Sequence, residues 1–387
     1  MKNKAERTKN DMKYICQTMQ NFEKLTRTKD VVLFGSGESC VRFVNYIRGD
    51  VRDRIKCILD NDKDRQGGKL YGIPIEAPEK LKEMDTSSTL VVITTKSKIV
   101  ELYEQTLSMG DYPIMTGRVL LSDVFSTVSE ELYNNQESIE EVSGLLYDDA
   151  SREIYHEVIK RRMLYGECDF SDLIKNGSCE YILPLCFSEK PAKDEVILDC
   201  GAYIGDTLKK FITIFGPALK KIYTFECMAE SLEKLKKEAC YVQNGKYVPD
   251  IVIMPYALSD HEGKMTFAET ALSPVSSFLV ENRAYAKNIF YESDYVEVDV
   301  REIDSLIPEN EKVTLIKMDI EGSEYEAIMG AKRVIQQWKP KLAISLYHHG
   351  KDYYRLPLLV KELVPEYKIA IRHHEKSHVD TDMYCWI

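Results

Sequence analysis

Glu195-Val-Ile-Leu-Asp-Cys-Gly-Ala-Tyr-Ile-Gly-Asp-Thr207 is the stretch on which the fold turns. Val196, Ile197 and Leu198 read as a buried parallel strand that Asp199 closes. Gly201 and Gly205 let the backbone turn tightly, and a helix begins near Asp206. A strand, a glycine turn and a helix N-terminus together make a cradle for a nucleotide-bearing ligand. The glycine pair alone does not say which ligand, because every doubly wound fold needs small residues at such turns.

Outward from this stretch the βα rhythm continues to the end of the chain. It predicts strands at 196–199, 222–226, 251–256, 313–318, 341–346, 366–371 and 381–386, and helices at 206–214, 229–242, 323–337 and 355–363. The last two strands have no long helix between them, which predicts an antiparallel hairpin at the sheet edge. In the other direction, Val31–Phe34, Ile55–Leu59 and Leu90–Thr94 read as strands of a second parallel sheet, and 1–28 as a charged helix. Between 122 and 193 the pattern turns helical, with helices at Ser138–Leu146 and Ser151–Leu164 and no clear strand. The fold class is therefore α/β, with two Rossmann-like domains, 1–122 and 194–387. A helical connector, 123–193, joins them and packs on the second.

At 387 residues the chain is long enough for two cores. With 30% charged and 44% hydrophobic residues it has ordinary globular composition. A formal charge of −11 argues against a nucleic-acid surface as its main business. No apolar run reaches the length of a membrane span. The charged start, Met1-Lys-Asn-Lys-Ala-Glu-Arg7, has no apolar stretch after it, so no secretory signal is expected. The ten cysteines include no Cys-x-x-Cys pair. Cys57, Cys200 and Cys385 sit in or beside apolar strands and read as buried thiols of a reducing cytoplasm, not as a disulfide frame or a zinc site.

Three further segments gather around the opening stretch. Ile222–Glu226 is a strand ending in a carboxylate. A carboxylate there accepts hydrogen bonds from ribose hydroxyls, or is simply solvated. Met254–Gly263 with Lys264–Phe267 reads as a strand, a turn and a short hairpin. Val313–Glu324 places Lys317, Asp319 and Glu321 in alternation, hence on one side of an extended chain. Three charges on one side do not suit a plain core strand, and Asp319 reads as functional. Glu324 reads as a charge at the start of the following helix.

Asp199-x-Gly-Ala-x-x-Gly-Asp-Thr207, Phe225-Glu226, Ala257-Leu-Ser-Asp260 and Ile316-Lys-Met-Asp-Ile-Glu-Gly-x-Glu324 occur here in the order of the FkbM-type S-adenosylmethionine-dependent methyltransferases, which the chain resembles. The likeness runs on through Gly330-Ala, Lys339-Pro-Lys and Ile371-Arg-His373 to Tyr384, and back to Asp148-Asp-Ala-Ser-Arg-Glu153. The resemblance implies a class I methyltransferase sheet with a reversed last strand. It implies that Asp199, Gly201, Ala202 and Gly205 line the methionine part of the cofactor, with Asp206 and Thr207 beside it. Glu226 would grip the ribose, Ala257 would flank adenine, and Asp319 would lie between cofactor and acceptor. The acceptor implied is a hydroxyl, by family habit that of a saccharide or glycoconjugate precursor. The alternative is a binding module with a degenerate site. An NAD-dependent sugar enzyme ranks last.

A neutral hydroxyl is a poor nucleophile, so a general base helps. His348 and His349, after the strand 341–346, are the candidates, either at the site or on a surface loop. His373 and His374 are candidates for the same rim. The spacing does not demand a metal; a magnesium ion, were one used, would take Asp319, Glu321 and a nearby histidine. Ser273–Phe278 and Tyr285–Tyr295 read as an acceptor lid. In the first domain, Gly35-x-Gly37-x-x-Cys40 is a dinucleotide fingerprint whose third glycine is Cys, and Asp60 suits a ribose-binding acid. Gly67–Ile75 resembles N-terminal domains of bacterial polysaccharide-modifying enzymes. That implies a nucleotide or nucleotide-linked sugar as ligand, against a degenerate, ligand-free fold. No Tyr-x-x-x-Lys pattern supports redox chemistry in this half. The sequence leaves the oligomeric state open.

Overall fold

The structure, a computed structural model, describes residues 15–95, 98–166, 168–174, 180–187, 193–242, 249–270, 273–279 and 293–387. The chain divides into two compact units. One is Met1–Glu137 with His156–Ser171 and Lys376–His378; the other is Ser138–Tyr155 with Asp172–Glu375 and Val379–Ile387. The segment 123–193, expected as a connector packing on the second domain, is therefore shared between the units. Among the described residues, no helix is long and apolar enough to cross a membrane.

The first unit holds a six-stranded sheet. Its strands are β1 (Asp30–Phe34), β2 (Ile55–Leu59), β3 (Lys69–Leu70), β4 (Ile73–Glu76), β5 (Thr89–Ile93) and β6 (Ile114–Thr116). Their order is β3-β4-β2-β1-β5-β6, parallel throughout except for the β3–β4 pair. Four successive residues of β1, Val31 to Phe34, are fully buried, as a strand covered on both faces requires. The described part of 1–28 is helical at Met19–Thr26, with Thr18 capping Asn21. The helix buries Phe22 edge-on against Phe43, 5.7 Å between ring centres.

In the second unit the strands are β7 (Glu195–Cys200), β8 (Leu219–Phe225), β9 (Asp250–Met254), β10 (Ala257–Leu258), β11 (Gly263–Thr270), β12 (Ser273–Leu279), β13 (Ser293–Arg301), β14 (Leu315–Met318), β15 (Lys341–Ser345), β16 (Lys368–His373) and β17 (Thr381–Trp386). Seven of them form one sheet in the order β16-β17-β15-β14-β7-β8-β9. All its neighbours are parallel except β17, which runs antiparallel between β15 and β16. The hairpin at the edge is thus closed inward: its second strand, not its first, pairs with β15. Ile197, Leu208, Phe211, Ile222, Leu235 and Leu315 pack one face of this sheet, each worth about 1.5–3 kcal/mol on burial.

Two expectations are corrected. The segment 254–267 is no self-contained hairpin. β10 and β11 both pair with β13, in a separate sheet of order β10-β13-β11-β12. The helix expected over 323–337 is two, Glu324–Met329 and Lys332–Trp338. At the break, a Cβ on Gly330 would stand 2.0 Å from the Ser259 carbonyl oxygen. Backbone passes too close there for any other residue, and the chain bends to admit it. Residues 285–292 of the expected lid lie outside the described residues. Ser273–Phe278 falls in β12, and 293–295 open β13.

Candidate functional site

In an open α/β sheet, ligands bind outside the carboxyl ends of the strands. The residues following β7, β8 and β14 come together there in one cavity of about 280 Å³, near the lower end of small-molecule sites. Because β17 runs backwards, Asp380, just before it, arrives at the same edge and lines the same cavity. One wall is apolar, built from Phe225, Met228, Ala257, Leu258 and Phe267. Glu226 stands beside it, its carboxylate accepting the Met228 N–H at 2.7 Å. Asp206 and Thr207 open the helix Asp206–Phe215 into the cavity. The far end carries Glu180, Tyr181, Asp319, Glu321, Tyr347 and Asp380.

Gly201 joins the two central strands. Its φ is +80°, and a Cβ would lie 1.8 Å from the Asp319 carbonyl oxygen. Only glycine lets β7 and β14 turn out of the sheet this close together. Gly205 plays another part. It takes φ +89° before the helix, and its missing side chain makes room for Leu235 and Glu238 of the helix Ala229–Val242. Neither Gly205 nor Ala202 lines the cavity.

Asp199 lies behind the cavity, fully buried. It accepts from the Thr207 hydroxyl at 2.6 Å and faces the Lys317 ammonium at 3.5 Å. Lys317 spends its protons on the Gly201 and Cys200 carbonyls, at 2.7 and 3.3 Å. Burial works against its charge, but Asp199 and Asp319 outweigh burial and hold its pKa above the ordinary lysine value. The pair is a strut that fixes the loop 199–207 to β14, so the expected direct contact of Asp199 with a ligand is replaced by a positioning role.

Asp319 is the most heavily partnered group at the far end. Tyr181 donates to it at 2.7 Å and Tyr347 at 3.2 Å, and His348 Nε2 lies 3.4 Å away. Burial would raise its pKa, but His348, Lys317 and these hydroxyls bring it below the usual carboxylate value. His348 is enclosed by Glu324 (3.1 Å), Asp319 and Glu321. Burial would strip its proton, yet these three carboxylates push its pKa up to about 10. His348 is thus an imidazolium at neutral pH and lines no part of the cavity. His349 is also behind the wall, pressed against Gly322, where a Cβ would meet its Nε2 at 2.4 Å. Burial, with Lys351 and His348 nearby, lowers its pKa to about 4. The two histidines expected as bases are one charged clamp and one neutral buttress. His373 and His374 are likewise away from the cavity, bonded to Thr381 and Tyr384.

Asp319, Glu324 and His348 can offer one donor atom each within 4.8 Å of one another. Glu321, expected beside Asp319 in a magnesium site, is not in that trio. Glu324, expected merely to charge a helix start, is fully buried and ties the turn by accepting the Ile320 and Gly322 N–H groups. Glu321 sits in that turn with φ +59° and does face the cavity. Burial raises its pKa to about 7, against the pull of His348. Asp380, also at positive φ, is raised to about 7 by burial and by Glu180 and Asp319.

A family model for the methyltransferase FkbM domain matches residues 199–371. Over that span, a little under half of the chain, the sequence is similar to the FkbM methyltransferase domain. The matched span opens on Asp199 and contains Lys317, Glu226, Asp319, Glu321 and Tyr347, while Glu180, Tyr181 and Asp380 of the cavity lie outside it. The crystal structure of a methyltransferase FkbM from Methylobacillus flagellatus KT is similar in fold. It is 21% identical with a TM-score of 0.58, over 96% of this chain and 94% of that one. A putative rRNA-methylase from Clostridium thermocellum (7% identical, TM-score 0.29) covers 50% of this chain and 87% of its own. Aeropyrum pernix fibrillarin with bound S-adenosylmethionine (12%, 0.29) covers 51% and 69%. No curated protein sequence matches the chain. The FkbM domain makes this a methyltransferase fold, and such a domain implies S-adenosylmethionine as methyl donor.

Sequence reasoning missed Glu180, Tyr181, Tyr347 and Asp380. Tyr181 and Glu180 come from a stretch read only as connector. Asp380 becomes visible only once β17 is known to be reversed. Tyr347 stood next to the two histidines that drew attention instead.

In the first unit, Gly35, Gly37 and Asp60 line a cavity of about 580 Å³ at the ends of β1, β2 and β5. Asp60 is already engaged: it accepts from the Ser36 N–H at 2.8 Å, from the Ser36 hydroxyl and from the Asp62 N–H. Burial opposes its charge, but these bonds and Arg65 hold its pKa below the usual value. It closes the glycine loop on itself, where a free ribose acceptor was expected.

Proposed function

We propose that the FkbM domain is an S-adenosylmethionine-dependent O-methyltransferase acting on a hydroxyl of a saccharide or glycoconjugate precursor. The observation that supports this reading is one cavity joining an apolar wall, a strand-end carboxylate and a carboxylate-rich far end. When bound, S-adenosylmethionine supplies a methyl group that is already electrophilic. Glu226 would accept the ribose hydroxyls, and Ala257 with its apolar neighbours would enclose the adenine. Gly201, Asp206 and Thr207 would flank the methionine moiety. Holding the acceptor in line can supply up to roughly 7–11 kcal/mol of the barrier.

The far end offers carboxylate acceptors for several hydroxyls and two tyrosines for a sugar face, which is why a saccharide is favoured. Glu321 is our choice for the base that takes the acceptor proton. It reaches the cavity, and a carboxylate near neutrality is matched to that task. Asp319, saturated by its partners, would orient rather than titrate. For the first unit we propose a nucleotide or nucleotide-linked sugar at the Gly35–Gly37 loop. The test is S-adenosylhomocysteine release by the purified protein over a panel of sugars, nucleotide-linked sugars and glycolipid precursors. Release with at least one hydroxyl acceptor, and labelled methyl on that oxygen, is expected. Tight S-adenosylmethionine binding with no turnover on any of them would point instead to a binding module.

A further inference from the structure

We infer that the carboxylates at the far end of the cavity act as a charge filter, holding the sulfonium form of the cofactor more tightly than its thioether product. The inference rests on the cofactor reading above. S-adenosylmethionine and S-adenosylhomocysteine differ by one methyl group and one positive charge. Whichever side chains surround the sulfur therefore decide which form is preferred.

The charge balance of the wall is lopsided. Among the described lining residues, Glu180, Asp206, Glu226, Asp319, Glu321 and Asp380 carry carboxylates, and Lys317 alone carries an ammonium. Lys317 is turned into the protein, its protons on two backbone carbonyls with Asp199 beside it. The imidazolium of His348 lies behind the wall, 3.1 Å from Glu324. Glu180 is matched by Lys210 at 2.9 Å, and Asp319 by two tyrosines and His348. Of the far-end carboxylates, Glu321 and Asp380 are left with the least compensation. Glu321 has His348 at 3.5 Å and the weaker pull of Lys317, and it lies beside Asp319 and Glu324. Asp380 faces Glu180, Asp319 and Glu375, with His348 as the cation acting on it. Two under-compensated carboxylates in a partly enclosed site form a trap for a monovalent cation.

The sequence places that trap at the reacting end. Asp319 and Glu321 follow β14, one strand beyond β7, whereas Glu226 follows β8 on the other side of β7. A cofactor whose ribose lies at Glu226 runs past Gly201 and brings its sulfur toward Asp319 and Glu321. Once the methyl has left, the positive charge has left the cofactor with it. The acceptor proton then sits on Glu321, and once it is released to solvent the restored pair of carboxylates favours exchange of the neutral product for a fresh donor.

The test is titration calorimetry of the full chain at pH 8 with three probes. They are S-adenosylmethionine, S-adenosylhomocysteine, and sinefungin, which carries an ammonium in place of the sulfonium. The expected result is that both cations bind on the order of tenfold more tightly than the neutral thioether. In Glu321→Gln and Asp380→Asn the preference should shrink toward unity, with S-adenosylhomocysteine affinity retained or improved. Retained affinity also shows that each variant is folded. Equal or tighter binding of S-adenosylhomocysteine by the unaltered protein would overturn the filter alone. Failure of all three probes to bind would overturn the cofactor reading on which it stands.

Discussion

Each unit of this molecule ends its second central strand in an acidic residue beside a glycine turn, Asp60 after β2 and Glu226 after β8. In sequence they look alike. In space both line a cavity and both accept N–H groups of their own loops, Asp60 from Ser36 and Asp62 and Glu226 from Met228, but behind Glu226 stands the Asp199–Lys317 strut. The difference lies less in the carboxylates than in what the next strand brings. In the second unit β14 brings Lys317 and Asp319 to that edge, whereas among the described residues β5 of the first unit is followed there by Thr94 and Thr95. A strand-end acid becomes a ligand group only where the neighbouring strand end supplies a wall for the ligand to lean on.

The glycines break this comparison most sharply. Gly201→Ala would drive a Cβ into the Asp319 carbonyl oxygen at a φ of +80°. A loss of at least ~4 kcal/mol is expected, with the second unit unfolding in denaturant titration. Gly37→Ala meets nothing nearer than the Arg65 side chain at 3.9 Å, and should cost no more than ~1 kcal/mol. Similar losses at the two positions would mean that the close approach at Gly201 is relieved by small backbone shifts.

Lys317→Met tests the strut. It would leave Asp199, fully buried, without its cation, and breaking a buried pair in this way typically costs ~3–5 kcal/mol. A thermal midpoint within a degree of the unaltered protein would show that Asp199 simply takes up a proton. Next in size is Glu226→Ala. The loss of charge-assisted hydrogen bonds, ~1.5–3 kcal/mol, should weaken S-adenosylmethionine binding roughly 10- to 100-fold by calorimetry. Asp60→Ala should leave that affinity untouched. Unchanged affinity in Glu226→Ala would remove the ribose assignment.

How much of this was legible in the chain follows from the range of the forces involved. The opening stretch and the strand rhythm are local patterns, and apolar runs such as Val196–Leu198 and Ile222–Phe225 reveal them directly. The glycine at 201 was legible as a turn, but its real cause is a carbonyl 118 residues away in sequence, at Asp319. His348 looked like a base because histidine titrates near neutrality when left alone. Its three carboxylate neighbours come from the β14 turn, and no spacing rule announces a cluster made by two strand ends. Glu321 was read as a charge on an alternating strand. The positive φ at 321 and 322 shows instead that the chain has left the strand and is turning there.

The smallest effect concerns pH, and it separates the far end of the cavity from its ribose end. Burial raises Glu321 and Asp380 to about 7. In the free protein both are therefore largely protonated at pH 6 and largely ionised at pH 8. Glu321 faces Asp319, Glu324, His348 and Lys317; Asp380 faces Glu180, Asp319, Glu375 and His348. A cation beside them favours the ionised forms, so binding releases protons. The affinity for S-adenosylmethionine should then rise as pH climbs through 7 and level off above it, by about threefold to tenfold between pH 6 and 8. S-adenosylhomocysteine brings no charge to that end and should bind almost evenly over the range. His348, held at about 10 by its carboxylates, keeps its proton throughout and adds no slope. Calorimetry in two buffers of different ionisation enthalpy would count the protons released. Equal proton release for both cofactor forms would show that the titrating carboxylates do not sense the sulfur, and would move the charge discrimination elsewhere in the cavity.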